Sequence, residues 1–264
     1  MARKIVITSG KGGVGKTTIV SGLGYTLANM GYKTMLVDMD FGLNNLDVLM
    51  GIENKIVYDI IDVIEGKCLP KQALIQDFFE NNLYTLPSTH GFCRVRFGAS
   101  ELNEIINDLE KYFDFVLIDC PAGIDGGFRR AVDTANESII VTTPHLSAVR
   151  DADKAISSLR FSNNKPYLII NRARGDLIVE SKMLSIDSIT ECLNASLLGV
   201  IPEDDNVATQ LISGGAFDSD SAIQYSLGMI ARNLINGDSK IYDCTKQYKG
   251  LFGSIRKNIK RRWS

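Results

Sequence analysis

The sequence predicts an α/β fold of three layers, a mainly parallel sheet with helices on both faces, followed by a C-terminal amphipathic helix. Three observations carry this. Near-continuous apolar runs alternate with helical patterns, as expected of strands buried on both faces. A glycine-rich stretch, Ser9 to Thr18, joins the first strand to the first helix. Aspartates close two strands, at Asp38 and Asp119, at the C-terminal ends where sheets of this kind place their ligands.

Composition agrees. The 264 residues are 45% hydrophobic and 23% charged, enough for one well-packed α/β domain. No linker or repeat interrupts the chain before Asp238, so residues 1–237 are expected to form the domain and 238–264 a linker and helix. Five cysteines lie scattered without C-x-x-C spacing, which argues for reduced thiols and against a disulfide framework or zinc site. The first strand opens too early for a signal peptide, and no run approaches the ~18 apolar residues of a membrane span. The expected location is cytosolic.

The first element is the strand Lys4–Thr8. Behind it, Gly10 to Thr17 satisfies G-x-x-x-x-G-K-T in the strand–loop–helix setting the pattern requires. The glycines let backbone N–H groups face phosphate oxygens at the positive end of the next helix. Gly10, Lys11, Gly12, Gly13, Val14, Gly15, Lys16, Thr17 and Thr18 are the candidate phosphate-binding residues. Lys16 reaches the β- and γ-phosphates in such loops, and the Thr17 hydroxyl ligates Mg²⁺. The expected architecture is therefore a P-loop NTPase. Lys11 makes the stretch Lys-Gly-Gly-Val-Gly-Lys-Thr-Thr, which resembles the deviant Walker A loop of the MinD/ParA class of ATPases. That resemblance implies ATP and Mg²⁺, and a Lys11 that crosses a dimer interface to the partner's phosphates.

A helix opening near Lys16, amphipathic over Ile19–Met30, and a buried strand over Thr34–Asp38 are expected. Asp38 and Asp40 follow two residues apart; on spacing alone such carboxylates also serve loop solvation or helix capping. Their segment resembles the first switch of the MinD family, which implies that Asp40 orients the attacking water and Asp38 lies beside Mg²⁺. The same resemblance makes Asn45 a partner-binding candidate. Asn44 stands where family members commonly carry arginine.

Further strands are expected at Leu83–Leu86, Phe115–Asp119, Ser138–Thr142, Pro166–Asn171 and Leu197–Ile201, with helices at Ser100–Tyr112, Ser147–Leu159 and Ser185–Leu193. Asp119 ends an apolar strand, and Mg²⁺, a hard cation, needs such a carboxylate opposite the Thr17 hydroxyl. Asp119-Cys120-Pro121-Ala122-Gly123 resembles the family's Walker B and second switch, which implies a γ-phosphate-sensing N–H at Gly123. Cys120 reads as a passive thiol. Ser147 is a candidate N-cap, and the resemblance places Asp151 on a partner-binding surface. It also implies that Asn171 hydrogen-bonds the adenine, with Arg172, Pro202 and Glu203 beside the base. His90 and His145 form no ligand set.

The tail is basic. Lys246 to Ser264 carries seven basic residues and no acidic ones against a net charge of −2, leaving −2 − 7 = −9 for the rest. On a wheel of ~100° per residue from Leu251, Ile255, Tyr248, Ile259, Phe252 and Trp263 fall between about 40° and 120°. Lys249, Arg256, Lys257, Lys260 and Arg261 take the other side, roughly 140° to 280°. Leu251, Phe252, Ile255, Ile259 and Trp263 are the candidate lipid-facing residues of a helix lying in a membrane interface. Docking on the chain's own core and nucleic-acid binding compete with that reading; nucleic acid does not need the ordered apolar stripe.

The resemblance spans Lys4 to the tail and implies a MinD-type ATPase. Its members dimerise on ATP, bind an anionic membrane surface and recruit a division inhibitor of the MinC type. A partner of the MinE type, or one of the DivIVA/MinJ-linked type, would then stimulate or localise it on the inner face of the cell membrane. The rivals are a flagellar-number regulator of the same class, expected to carry an N-terminal extension, and a ParA-type DNA-partition ATPase with basic residues on its folded surface. A nitrogenase-like iron protein needs cysteine motifs that Cys93 and Cys120 lack.

Overall fold

The computed structural model describes residues 1–41, 45–88, 97–160, 166–204 and 220–249. Its centre is β1 (Arg3–Thr8), hydrogen-bonded in parallel to β5 (Phe115–Asp119) and β6 (Glu137–Thr142). Outward from β5 come β2 (Thr34–Asp38), β4 (Leu83–Leu86) and β3 (Ile75–Gln76); outward from β6 come β7 (Tyr167–Ala173) and β8 (Ser196–Pro202). Every pair is parallel except the short edge strand β3 against β4.

Because strand side chains alternate, the sheet feeds two cores. Val6, Val37, Val116, Ile118 and Ile140 pack on one face with α4 (Ala99–Glu110), α5 (Gly126–Asp133) and α6 (Leu146–Arg160). Ile5, Ile7, Leu36, Leu117 and Ile139 pack on the other with α1 (Lys16–Asn29) and the last described helix, Ala222–Asn236. Each such side chain contributes roughly 1.5–3 kcal/mol when fully buried. The expected three layers are there.

Several boundaries differ from expectation. Helix α1 begins at Lys16, as the glycine-rich loop leads one to expect, because Gly15 at φ 94° turns the chain into the helix without a side-chain cap; it ends at Asn29, one residue before the expected Met30. Helix α6 begins at Leu146, so Ser147 lies inside its first turn and is not the N-cap. Ser185, by contrast, does cap α8 (Ile186–Leu193), accepting from the Ser188 N–H at 3.1 Å. Short helices α2 (Leu46–Met50), α3 (Ile60–Ile64) and α7 (Gly175–Val179) add to the predicted set, as do α5 and the last described helix, α9.

The chain after α9 does not leave as a free linker. Asn233 on α9 donates to the Leu198 and Lys240 carbonyls at 2.9 and 2.8 Å, folding the chain back onto β8. Cys244 and Tyr248 are buried, and a Cβ on Gly175 would stand 1.9 Å from the Cys244 carbonyl oxygen. Tyr248, expected on the tail's apolar stripe, is thus part of the body, its ring packed against α7. Leu251, Phe252, Ile255, Ile259 and Trp263 lie outside the described residues.

Candidate functional site

The site forms along the C-terminal ends of β1, β2, β5, β7 and β8. In the glycine-rich loop two positions have hard backbone requirements. Gly15 sits at φ 94°, and a Cβ there would meet the Asn171 amide nitrogen at 2.5 Å. A Cβ on Gly10 would stand 1.9 Å from the Asp151 carbonyl oxygen, so the loop lies directly on the α6 backbone. Asn171 Nδ2 donates to the Val14 carbonyl at 2.8 Å and pins the loop from β7. Its Oδ1 takes no hydrogen bond among the described residues, which leaves an acceptor beside the loop.

The two lysines differ. Lys16 is 7% exposed at the first position of α1. Lys11 is exposed, and its Nζ reaches the Ser147 hydroxyl at 3.3 Å. A buried cation at a helix N-terminus is electrostatically disfavoured until an anion joins it.

Opposite lie the carboxylates. Parallel register sets Asp38 on β2 directly beside Asp119 on β5, about 4.8 Å away across the ladder. Asp119 is 2% exposed and Asp38 is 1% exposed. Burial pushes the Asp119 carboxyl up to about 7, the Asp38 charge adding to this while the Thr17 hydroxyl and Lys16 oppose it. Asp38 is pushed up to about 7 as well, first by burial; hydrogen bonds from the Asp40 backbone and from Ser88 oppose the rise. The Asp40 carboxyl is raised by burial against the pull of Lys16.

This arrangement fits a divalent cation. Asp119 Oδ1 is buried without a hydrogen-bond partner, and the Thr17 hydroxyl already bonds the same carboxylate. Among the described residues no cluster of three or more His, Cys, Asp or Glu could hold a metal unaided. Thr17 and Asp119, with Asp38 beside them, would therefore hold Mg²⁺ jointly with phosphate oxygens, the hard-oxygen environment that Mg²⁺ prefers.

Other predicted residues fall around this centre. The Gly123 N–H, expected to sense a γ-phosphate, donates here to the Ser9 carbonyl at 3.3 Å, and Gly123 stands at φ 95°. Reaching a phosphate requires that bond to break. Gly12, Gly13 and Thr18 complete the loop and the first turn. Arg172 is exposed at φ 56° after Asn171, and Pro202 pairs with Ala173, to whose carbonyl the Glu203 N–H donates at 3.3 Å. Asn171, Arg172, Pro202 and Glu203 thus share one sheet end; Pro202 and Glu203 line a pocket of about 90 Å³ there, while Asn171 turns to the phosphate loop. Asn45 and Asp151 do not join the centre. Asn45 is exposed at the start of α2, and Asp151 lies half-buried on α6, paired with Lys154 at 3.2 Å.

Sequence reasoning missed Ser88 and the role of Ser147. Ser88 is buried and hydrogen-bonds Asp38. No local pattern marks it: Val37 pairs with Leu86, so it is the β2–β4 register that brings the residues just beyond β4 beside Asp38. Cys120 is buried and its thiol is pushed up to about 12, in keeping with a passive group. His145 is exposed; His90 and Cys93 lie outside the described residues.

A mainly parallel three-layer sheet, with a buried and an exposed lysine on one phosphate loop, defines a P-loop ATPase of the MinD/ParA class. A family profile described as an AAA domain matches residues 2–166. The septum site-determining protein MinD of Bacillus subtilis is 41% identical over 261 residues, covering 97% of each chain. Among solved structures, MinD in the MinC:MinD cell division protein complex of Aquifex aeolicus superposes with TM-score 0.84 at 36% identity, covering 90% of this chain and 97% of that one. MinD complexed with Mg-ADP from Pyrococcus horikoshii superposes at TM-score 0.81 and 29% identity, covering 89% and 97%. The chain belongs to the MinD family of septum site-determining proteins.

Proposed function

We propose that this protein hydrolyses ATP as a nucleotide-joined homodimer, binds an anionic membrane surface through its C-terminal segment, and positions the septum by recruiting a MinC-type inhibitor. The observation that carries this reading is the contrast between Lys16, buried against the carboxylates, and Lys11, exposed on the same loop. Lys16 and the loop N–H groups neutralise the phosphates; Asp40 orients water in line with the γ-phosphorus. Lys11 leaves Ser147 to serve the partner's nucleotide. Thr17 and Asp119 would hold Mg²⁺, which would supply positive charge to offset that of the phosphates. Asn171, Arg172, Pro202 and Glu203 hold the base, and Asn45 and Asp151 face partners. The Aquifex complex, which pairs a relative with MinC, supports the inhibitor as partner.

One tail binds weakly, because ordering it offsets most of the gain from its apolar residues. Two tails on a dimer gain effective concentration, worth roughly 10²- to 10⁴-fold. Nucleotide state thereby controls attachment. The test is co-sedimentation with anionic vesicles in ATP and in ADP, beside a chain that ends at Lys249. Pelleting by the full chain in ATP alone supports the proposal. No pelleting in either nucleotide overturns the membrane step, and salt-sensitive DNA binding without lipid favours a ParA-type ATPase.

A further inference from the structure

Three side chains beside the site have no part in the account above. Phe41 follows Asp40, Phe97 precedes α4, and Arg130 lies on α5, the helix after the Asp119–Gly123 turn. The Phe41 and Phe97 rings meet edge to face, centroids 5.0 Å apart at 70°. The Arg130 guanidinium lies over the Phe97 ring, 5.2 Å from its centroid. Both rings are partly buried against the core that also holds Ile118, Cys120 and Phe128.

Arg130 sits there without the usual reasons for an arginine. Its Nε is buried with no hydrogen-bond partner, and no ion pair forms to it among the described residues. Its guanidinium folds back toward the N-terminal turn of α5, as helical side chains do. Cβ atoms built on Gly126 and Gly127 would lie 3.8 and 3.9 Å from its nitrogens. That is the positive end of the helix, where a cation is disfavoured. Among the described residues, the ring face of Phe97 is the attractive surface it meets.

We propose that Arg130 is a positioning residue for Asp40, acting through Phe97 and Phe41. The stack joins the segment after β2 to the helix after β5, so the two loops that meet the phosphates move as one. Asp40, one residue from Phe41, keeps its carboxylate in place only while the ring stack holds. The proposal rests on the reading of Asp40 as the residue that orients water.

The experiment measures kcat, affinity for a fluorescent ATP analogue and melting temperature for the full chain with anionic vesicles. The variants are Arg130→Leu, Phe97→Leu, their double, Arg130→Lys and Asp40→Asn. Arg130→Leu and Phe97→Leu should each lower kcat on the order of tenfold, since small misplacement of a reacting group is expensive. Affinity should change less than about twofold, because the lost interaction acts in the transition state. The double should match the singles, as expected for residues acting as a unit, and Arg130→Lys, which keeps a cation over the ring, should recover most of the loss. Wild-type kcat in Arg130→Leu overturns the proposal, as do additive losses, or a fall in affinity and melting temperature that accounts for the fall in rate. If Arg130→Leu does not fold, Arg130→Lys against Phe97→Leu decides by the same split. Loss of turnover in Asp40→Asn with none in Arg130→Leu sinks the stack alone. Full turnover in Asp40→Asn sinks the reading of Asp40 and the proposal with it.

Discussion

The Asp38–Asp119 pair has a direct thermodynamic consequence. Both carboxyls hold a proton to about pH 7 in the fold and only to the ordinary carboxylate range in the unfolded chain. Between those limits the folded state binds more protons, so stability falls as pH rises from about 4 to about 7. In the nucleotide-free, Mg²⁺-free protein the melting temperature should drop between pH 5 and pH 8. Asp38→Asn should flatten that drop and raise stability at pH 8 by on the order of 2–4 kcal/mol, with Mg²⁺-dependent turnover lost in the same variant. Thiol labelling gives a second residue-scale test. Cys192 is exposed, whereas the buried Cys120 and Cys244 thiols are pushed up to about 12 and about 11. A disulfide reagent on the native protein should modify Cys192 quickly and the other two only on unfolding, as peptide mapping would show. These aspartates were legible in the sequence as strand-end carboxylates. Their closeness was not, because it depends on register between strands about eighty residues apart in the chain.

At the scale of elements, the strands were read best. Thr34–Asp38, Leu83–Leu86 and Phe115–Asp119 match their expected spans, because a strand buried on both faces is simply an apolar run with sharp ends. Strand β3 is two residues long and pairs antiparallel at an edge, which leaves no pattern to find. Helix starts were read less well. A serine suggested the start of α6, yet the Ser147 hydroxyl instead meets the Lys11 ammonium, a contact made through space that no local rule contains. The contact between the phosphate loop and α6 also yields a prediction. Gly10→Ala puts a methyl group 1.9 Å from a helix carbonyl, so loop or helix must shift. We expect destabilisation of roughly 1–3 kcal/mol together with loss of nucleotide binding, measured by thermal melts with and without Mg-ATP. Gly12→Ala, whose Cβ would meet nothing closer than 3.8 Å, should be milder in both readouts.

For the whole molecule, a wheel diagram placed Tyr248 with the tail because its angle fitted the stripe. Helical periodicity records spacing and not what a side chain touches, so an anchored residue and a lipid-facing one look alike. The two truncations therefore predict different things. A chain ending at Lys249 should melt like the full protein and lose only vesicle binding. A chain ending at Gln247 removes a buried ring that lies 3.0 Å from a Cβ built on Gly175, and should also lose stability, by about 3–5 kcal/mol for a large buried side chain. Calorimetry on the pair separates anchor from tail.

That anchor also sets a mooring length. Leu251 is three residues beyond Tyr248, so a fully extended chain allows at most about 11 Å between their Cα atoms. Under the membrane reading, the body rides almost in contact with the lipid headgroups, within a single Debye length at physiological salt. Residues 1–245 carry a net charge of −9, so the same anionic surface that attracts the basic tail repels the body it holds. Attachment then becomes a balance of opposed charges on one short tether. Moderate salt weakens both sides of that balance, so vesicle binding should be far less salt-sensitive than seven basic residues alone would suggest.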